Sequence, residues 1–451
     1  MLTFNSEYFD PLKIHQHLNP QGPGFLESLG TSDRVARYSI VPLRCQESYS
    51  FDSSLVRHIN GITEPVPGDP FLELGRILNN RRIERQQTSP FPGGFFGYFA
   101  YDLAGEIENL PQRAVRDLPL PKLWLTWVDT TAVYNHATGE VIIDSLDSTV
   151  DLQQLKTMIV AALECPSDEP GVIPPTEPIP VMKREQFMQR VSTARDYIAA
   201  GDIYQANLSC RFDVDQPGPI NPLDLYRRLC TINPSPFACL LQTPDVTIIS
   251  SSPERLVSLR HGIAETRPIA GTRPRGYSPP EDSRLGEELL AHPKERAEHI
   301  MLLDLERNDL GKVCRTGTVE VDELMVLERY SHVTHIVSNV RGELNPEMGP
   351  FDLLRATFPG GTITGVPKKR CMEIIDELEP VGRGIYTGSA GYISATGEMD
   401  LNILIRTFQL TANKLTYQVG AGIVADSDPA KEWEECLAKG QALKQVLESS
   451  R

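Results

Sequence analysis

The chain contains 451 residues, carries a formal net charge of −16, and is 40% hydrophobic and 23% charged, a composition typical of a soluble globular protein. The acidic balance argues against nucleic acid as the main partner, because phosphate binding usually requires a basic face. No apolar segment approaches the ~20 residues that a membrane helix needs, so no membrane partner is expected.

The opening segment and the cysteines both indicate a cytoplasmic protein. The segment MLTFNSEYFDPLKI lacks the basic region and the apolar run of a secretory signal. The eight cysteines are scattered along the chain without a CxxC pair, which predicts reduced, structural thiols.

Composition divides the chain into two regions that are joined by a linker. Residues 1–163 hold mixed strand and turn signals, among them a hairpin whose turn is NHATGE. Residues 164–181 are rich in proline and acidic side chains without periodicity, which is typical of a linker or an extended surface segment. Residues 182–451 form the larger predicted region.

Periodicity after the linker predicts an α/β protein of the α+β kind. A helix that starts near Arg184 and stops at Gly201 is followed by a strand with Gln205, Asn207 and Ser209 on its polar face. Further strands are predicted at Val246–Ser250, Ala390–Ser394, Ile403–Thr407 and Leu415–Val419, and helices at Pro293–Asp309, Lys368–Leu378 and Pro429–Leu447. This irregular alternation favours large antiparallel or mixed sheets with helices outside over a Rossmann arrangement.

Two of the predicted helices carry carboxylates at helical spacing. Glu295 and Glu298 lie three residues apart on one, and Glu432, Glu435 and Lys439 share a face of the other. Carboxylates from separate helices would repel one another unless a divalent cation lay between them. Oxygen ligands of this kind favour Mg²⁺.

Other single positions are candidates for binding or proton transfer. Glu254 follows a predicted strand, where a carboxyl group could act as a general acid. The small residues Gly420, Ala421 and Gly422 would let backbone N–H groups approach a carboxylate closely. Each of these features alone is more often structural than functional.

Nine motifs in chain order resemble those of the chorismate-utilising enzyme family. They are GDIYQANLS, SSPERL, TRPIAGTRPRG, KERAEHIMLLDLERND, SHVTHIVS, FPGGTITGVPKKRCMEIIDELEP, GSAGYIS, IRT and GAGIVADSDPAKEWEECLAKG. The resemblance is dense from Arg184 to about Leu447 and looser before it. It implies a large α/β fold in which two sheets pack face to face, with helices outside and chorismate bound between the sheets.

The resemblance also implies roles for individual residues. Glu298 and Glu435 correspond to Mg²⁺ ligands, and Glu254 corresponds to the general acid that protonates the departing C4 hydroxyl. The residues that correspond to the remaining lining of the substrate site are Thr272, His335, Lys439, Arg406, Ala270, Tyr392, Gly420, Ala421 and Gly422.

Gln205 indicates the nucleophile. The position of Gln205 resembles the one at which family members that add water have a lysine that acts as base. A neutral glutamine cannot take a proton from water. The resemblance therefore implies ammonia as the nucleophile. The chain has no G-x-C-x-G elbow of its own, so a separate glutamine amidotransferase subunit (component II) is expected to supply the ammonia.

Two ammonia-using branches of the family remain open, and the first prediction is aminodeoxychorismate synthase, which makes 4-amino-4-deoxychorismate for p-aminobenzoate and folate. FPGGTITGVPK, NPSPFACLL and GGFFGYFAYDLAGEIENLP resemble that branch. Ala270, where many of its members have lysine, resembles the alternative, anthranilate synthase, which makes anthranilate and pyruvate for tryptophan biosynthesis. The four residues that resemble a tryptophan-binding segment are Glu27, Ser28, Tyr38 and Ser39. A remote third alternative is a non-catalytic relative that binds tryptophan.

Overall fold

The computed structural model describes residues 1–30, 37–84, 89–166, 171, 176–215, 220–329 and 333–448, with the backbone alone at 272, 274 and 333. The helices are α1 (Pro11–Leu18), α2 (Pro70–Asn80), a 3-10 helix (Tyr101–Glu106), α3 (Leu152–Glu164), α4 (Arg184–Ala199), α5 (Pro222–Ile232), α6 (Pro279–Ala291), α7 (Pro293–Gly311), α8 (Pro350–Thr357), α9 (Lys368–Leu378) and α10 (Pro429–Glu448). None of these described helices is long and apolar enough to cross a membrane.

The strands run through the whole described chain. They are β1 (Leu2–Asn5), β2 (Gly24–Glu27), β3 (Tyr38–Phe51), β4 (Leu55–Ile59), β5 (Ile62–Val66), β6 (Gly94–Phe99), β7 (Leu123–Asn135), β8 (Glu140–Ser145), β9 (Pro178–Pro180), β10 (Gln205–Val214), β11 (Phe237–Gln242), β12 (Thr247–Ser252), β13 (Arg255–Arg260), β14 (Ile263–Thr266), β15 (Ile269–Pro274), β16 (Glu320–Arg329), β17 (Val333–Glu343), β18 (Gly365–Val366), β19 (Ser389–Ser394), β20 (Met399–Asn402), β21 (Thr407–Leu410) and β22 (Leu415–Ile423). Their pairings, where described, are antiparallel.

Strands β3 and β7 form a long antiparallel pair, and one sheet continues from each of them. The first sheet continues from β7 through β6, β19, β20, β13 and β14 to β17, which also pairs with β15 and β16. The second continues from β3 through β2, β11, β12, β21 and β22 to β10. Both sheets therefore contain strands from the first and the last parts of the chain.

The buried side chains confirm a fold of two facing sheets with helices outside. One core cluster joins the second sheet to α4, α5, α9 and α10, and another joins the first sheet to α2, α7 and α8. A third cluster lies between the sheets and includes Phe96 and Tyr98 from the first and Leu241 and Ile248 from the second. Both faces of each sheet are therefore covered with apolar side chains, as the hydrophobic effect requires.

The chain crosses from one sheet to the other at two places. One crossing is Ser252–Arg255, between β12 and β13, and the other is Asn402–Thr407, between β20 and β21. The two are joined by a 3.0 Å hydrogen bond from the N–H of Ile403 to the carbonyl oxygen of Glu254. The strand predicted at Ile403–Thr407 is therefore wrong: its apolar alternation belongs to a crossing segment, in which Arg406 has a φ of +51°.

The predicted linker region is bounded by regular structure. Helix α3 ends at Glu164, and strand β9 pairs with β10 opposite residues 212–214. Residues 167–170 and 172–175 lie outside the described part of the chain. The predicted hairpin corresponds to β7–β8, and the predicted helices at the three later positions correspond to α7, α9 and α10.

Candidate active site

Glu254 lies on the first crossing segment and is almost fully buried, with 7% exposure. Its Oε1 accepts a 2.7 Å hydrogen bond from Oγ1 of Thr362. Burial raises the pKa of this carboxyl to about 7, helped by repulsion from Glu306 and opposed by the Thr362 hydroxyl. A carboxyl group with this pKa can hold a transferable proton near neutral pH.

Helix α10 brings a lysine to the end of strand β22. Asp428 caps this helix, because its Oδ1 accepts hydrogen bonds from the N–H groups of Ala430 and Lys431. Pro429 therefore occupies the first helical position, as predicted. Lys439 Nζ lies 2.8 Å from Glu435 Oε1 and donates to the carbonyl oxygen of Gly420 at 3.1 Å. Lys439 thus joins the predicted metal ligand Glu435 to the predicted carboxylate-binding strand.

Glu298 and Gln205 are direct partners. Strand β10 directs Gln205 toward α7, and its Nε2 donates a 2.7 Å hydrogen bond to Oε1 of Glu298. Burial raises the pKa of Glu298, and the hydrogen bond from Gln205 opposes this. Gln205 is 4% exposed, and its own Oε1 has no partner among the described residues. An acceptor oxygen is therefore left open beside the carboxylate.

The chemistry of these carboxylates fits a hard divalent cation. Burial raises the pKa of both Glu298 and Glu432, and repulsion from a neighbouring glutamate adds to it in each case. A bound Mg²⁺ would relieve this cost, because it is held by oxygen ligands and retains several waters. Among the described residues no three acidic, histidine or cysteine side chains already form a metal-binding group. Glu298 on α7 and Glu435 on α10 stay the predicted ligands of this ion.

Strands β15 and β17 carry the next group of predicted site residues. Ala270 is buried at 8% exposure opposite Ile336, and the backbone of Thr272 pairs with that of His335 across a bulge. Burial, together with the charge of Arg406, lowers the pKa of His335 to about 4. The neutral ring donates from Nδ1 to the carbonyl oxygen of residue 271 at 3.3 Å.

The three small residues of β22 face strand β10 at close range. Gly420 pairs with residue 209 and Gly422 with Asn207, with Ala421 between them. A methyl group on Gly420 would lie 2.6 Å from Oδ1 of Asn207, and one on Gly422 would lie 2.6 Å from Nε2 of Gln205. Larger side chains are thus excluded from this position by the polar face of β10.

The electrostatic influences on pKa indicate that several of these groups lie near one another. Lys439 lowers the pKa of Glu254, Glu298 and His335, in each case as a smaller effect than burial. Arg406 lies close enough to act on Glu254 and His335, and its Nη1 donates to Oδ1 of Asn233 at 3.1 Å. The predicted catalytic and carboxylate-binding residues are therefore brought together where the two sheets meet.

A separate pocket lies beside the residues that resemble a tryptophan-binding segment. Glu27, Ser28, Tyr38 and Tyr392 all line it, together with Arg260. Tyr392, which is predicted to lie beside the substrate, lines this pocket from strand β19.

Two of the residues in and under this pocket are held by hydrogen bonds. Tyr226 donates from its hydroxyl to Oε2 of Glu27 at 2.5 Å, while burial raises the pKa of Glu27 to about 7. Ser39 lies beneath the pocket wall, where its Oγ accepts from the N–H of Ser28 at 3.2 Å and contacts His136 at 2.8 Å. Ser39 therefore supports the pocket without lining it.

Three residues contribute to the site in ways that the sequence did not indicate. Thr362 holds Glu254 from a glycine-rich loop that gives no periodic signal. Glu432 is the buried member of its helix face, whereas Glu435 is exposed. Asn207 has an Oδ1 without a partner in the described structure, and the polar face predicted for its strand was the available signal.

Comparisons with known proteins identify the family of the chain. Residues 56–445 match the family model described as chorismate binding enzyme. An anthranilate synthase component I-like protein of Synechocystis sp. is 49% identical over 80% of this chain and 73% of its own. Aminodeoxychorismate synthase component 1 of Bacillus subtilis is 42% identical over 85% of this chain and 83% of its own.

A solved structure extends the likeness to the whole fold. The crystal structure of anthranilate synthase component I from Streptococcus pneumoniae TIGR4 has a TM-score of 0.80 and 34% identity, and 98% of each chain is covered. Relatives with both activity names thus occur at substantial identity. The chain belongs to the family of chorismate-binding enzymes and, within it, to the anthranilate and aminodeoxychorismate synthase type.

Proposed function

We propose that this chain is component I of an aminodeoxychorismate synthase, which converts chorismate and ammonia into 4-amino-4-deoxychorismate and water. Two observations support a nitrogen-adding reaction: Glu254 is a buried proton donor, and Gln205 is a neutral amide that donates to Glu298 where water-adding relatives have a lysine base. A glutamine amidotransferase subunit would supply the ammonia, in agreement with the component I naming of the relatives.

Glu254 supplies the proton that the leaving group needs. As the bond between C4 and its hydroxyl oxygen breaks, the Glu254 proton passes to that oxygen and water departs. Nitrogen uses its lone pair to form the new bond and then gives up one proton, which restores the carboxyl group. The Thr362 hydroxyl fixes the donor oxygen in place during this exchange.

The other polar groups bind and orient. Arg406 and Lys439 provide positive charge for the carboxylates of chorismate, and the small residues 420–422 let backbone N–H groups approach one of them. The open Oε1 of Gln205 can accept a hydrogen bond from ammonia. Mg²⁺, held by Glu298 and Glu435, would supply positive charge to the ring carboxylate and the departing hydroxyl when bound.

Ala270 limits the routes to the product. Its methyl group is no nucleophile, so no covalent enzyme intermediate forms at this position. Ammonia must therefore attack the ring directly. The loop FPGGTITGVPK favours the aminodeoxychorismate branch by resemblance, because anthranilate synthases usually have alanine at the position of Gly360.

Anthranilate synthase is the second candidate, and Ala270 together with the second pocket favours it. In that reaction nitrogen adds at C2, and the enolpyruvyl side chain then leaves as pyruvate. Incubation with chorismate, Mg²⁺ and ammonium salt therefore separates the candidates when pyruvate is followed with lactate dehydrogenase and NADH. We expect chorismate to be consumed without pyruvate. Stoichiometric pyruvate and fluorescent anthranilate would replace the first proposal with the second.

Replacing Gln205 with lysine should open the site to water. A buried lysine amine beside this space can take a proton from water, which a neutral amide cannot do. We expect Gln205→Lys to form a hydroxylated, isochorismate-type product from chorismate in the absence of ammonium, as detected by chromatography. Gln205→Met, which removes the amide without adding a base, is the matched control. Equal absence of such a product from both variants would contradict the role of Gln205.

The second pocket should bind tryptophan. Glu27 offers a carboxylate for the ammonium group, and Arg260, held by Asp400 at 3.0 Å, offers a cation nearby. We expect Tyr38→Ala to weaken tryptophan binding at least ~10-fold by calorimetry, because it removes the aromatic wall. Tyr277→Ala, which changes a fully exposed tyrosine elsewhere, should bind as the parent does. A parent protein that takes up no tryptophan would remove this assignment.

A further inference from the structure

Glu306 is a buried carboxyl group that the proposed reaction does not use. It lies on α7 about two turns beyond Glu298 and is 5% exposed. Its Oε1 accepts a 3.3 Å hydrogen bond from the backbone N–H of Gly361. Burying a carboxylate is costly unless a cation is paired with it.

The nearby cations bind another residue. Lys368 Nζ donates to Oδ2 of Asp309 and, at 2.9 Å, to the carbonyl oxygen of Thr357. Lys312 Nζ donates to the other oxygen of Asp309 at 2.8 Å. Burial and repulsion from Asp309 raise the pKa of Glu306, although the charge of Lys368 opposes this. With a pKa of about 7, Glu306 carries its negative charge on the alkaline side of neutrality, which is the range in which Glu254 would otherwise lose its proton.

One loop connects Glu306 to Glu254. Gly361 donates its N–H to Glu306, and the next residue, Thr362, donates its hydroxyl to Glu254 at 2.7 Å. Glycine is required at the first position, since a methyl group would lie 3.0 Å from Oε1 of Glu306 and 2.5 Å from Cδ2 of Leu305. Movement or a change of charge at Glu306 therefore reaches Glu254 through two adjacent residues.

The charges that face Glu254 come from three elements. Glu306 on α7 favours its protonated form, whereas Lys439 on α10 and Arg406 on the second crossing favour its ionised form. We propose that Glu306 is a positioning residue that keeps Glu254 protonated, through its negative charge and through the Gly361–Thr362 segment. This inference rests on the proposed function, because it gives Glu254 the part of proton donor.

The test is the pH dependence of kcat/KM for Glu306→Gln, with chorismate and ammonium salt at saturating Mg²⁺. The amide keeps an acceptor for Gly361 but removes the negative charge, so the pKa of Glu254 should fall. We expect the alkaline limb of the kcat/KM profile to move to lower pH by roughly one unit. This shift corresponds to roughly a 10-fold loss of kcat/KM at pH 8 and little change near pH 5.5. Glu306→Asp retains the charge and should restore the limb.

Thr362→Val is a comparison of opposite sign. It removes a hydrogen bond that favours the ionised carboxyl, so the alkaline limb should move to higher pH. Opposite shifts in the two variants cannot arise from a general loss of packing, which would lower activity without moving the limb.

A measurement without turnover keeps the inference separate from the proposed function. The Cδ resonance of ¹³C-labelled Glu254, assigned by its loss in Glu254→Gln, should titrate at lower pH in Glu306→Gln than in the parent. An unchanged titration, with or without lower thermal stability, would overturn the inference even if the parent makes the proposed product. A shifted titration in a protein that adds no nitrogen to chorismate would support the link between the two carboxyls and contradict the proposed function alone.

Discussion

Glu254→Gln is expected to abolish turnover of chorismate, with kcat reduced by ~10²–10⁴-fold, while chorismate still binds. The amide has nearly the shape of the carboxyl group and can still accept from Thr362. It has no proton to give to a departing hydroxyl at neutral pH. The measurement is steady-state consumption of chorismate with ammonium salt, accompanied by calorimetric binding of chorismate to the variant.

The control removes a carboxylate that lies on the protein surface and away from Glu254. Glu434 lies on α10 and is exposed, so Glu434→Gln should retain the parent rate. If Glu254→Gln were as active as this control, Glu254 could not be the proton donor.

The same variant makes a prediction about stability. The pKa of Glu254 is raised in the folded state to about 7, so the folded protein holds this proton more tightly than the unfolded chain does. Its stabilising contribution is full below the ordinary carboxyl pKa and is lost as pH rises through about 7. We therefore expect the difference in Tm between pH 5 and pH 8 to be smaller in Glu254→Gln than in the parent. An equal difference in both proteins would place the Glu254 pKa near its ordinary value.

Glu298→Gln is expected to remove the response to Mg²⁺, with at least ~100-fold lower activity at a saturating Mg²⁺ concentration. The amide replaces a charged oxygen ligand with a neutral one and leaves Glu435 to hold the cation from a single helix. Mg²⁺ binding followed by calorimetry or by thermal stabilisation gives a readout that is independent of turnover.

Asp304→Asn is the matched control on the same helix. Asp304 is exposed and pairs with Arg307, so its removal changes the charge of α7 without touching the site. Equal Mg²⁺ binding by both variants would place the ion elsewhere. In a protein that served only to bind tryptophan, neither Glu298→Gln nor Asp304→Asn would alter ligand binding.

Much of the fold was predictable because its strands and helices follow simple periods. The alternation Gln205, Asn207 and Ser209 gave the polar face of β10, and the Asp428-Pro429 pair gave the start of α10. The crossing at Ile403–Thr407 was not predictable in this way, since its apolar spacing is that of a strand. Only the assignment of β20 and β21 to different sheets requires the chain to turn there.

The depth and the partners of the site residues were less accessible. Helical spacing placed Glu432 and Glu435 on one face, but it could not tell that the first is buried and the second exposed. The hydrogen bond between Thr362 and Glu254 joins residues 108 positions apart, and no local pattern links them. Tyr392 lies in a strand of buried residues, and its sequence does not indicate which of the two pockets it lines.

The most direct test of the central claim is the position of the new carbon–nitrogen bond. The parent protein is incubated with chorismate, Mg²⁺ and ¹⁵N-labelled ammonium, and the product is analysed by ¹³C–¹⁵N correlation in NMR spectra. The account predicts nitrogen on C4, with the enolpyruvyl group retained and one water lost for each chorismate. Nitrogen on C2, or a product without nitrogen, would contradict it.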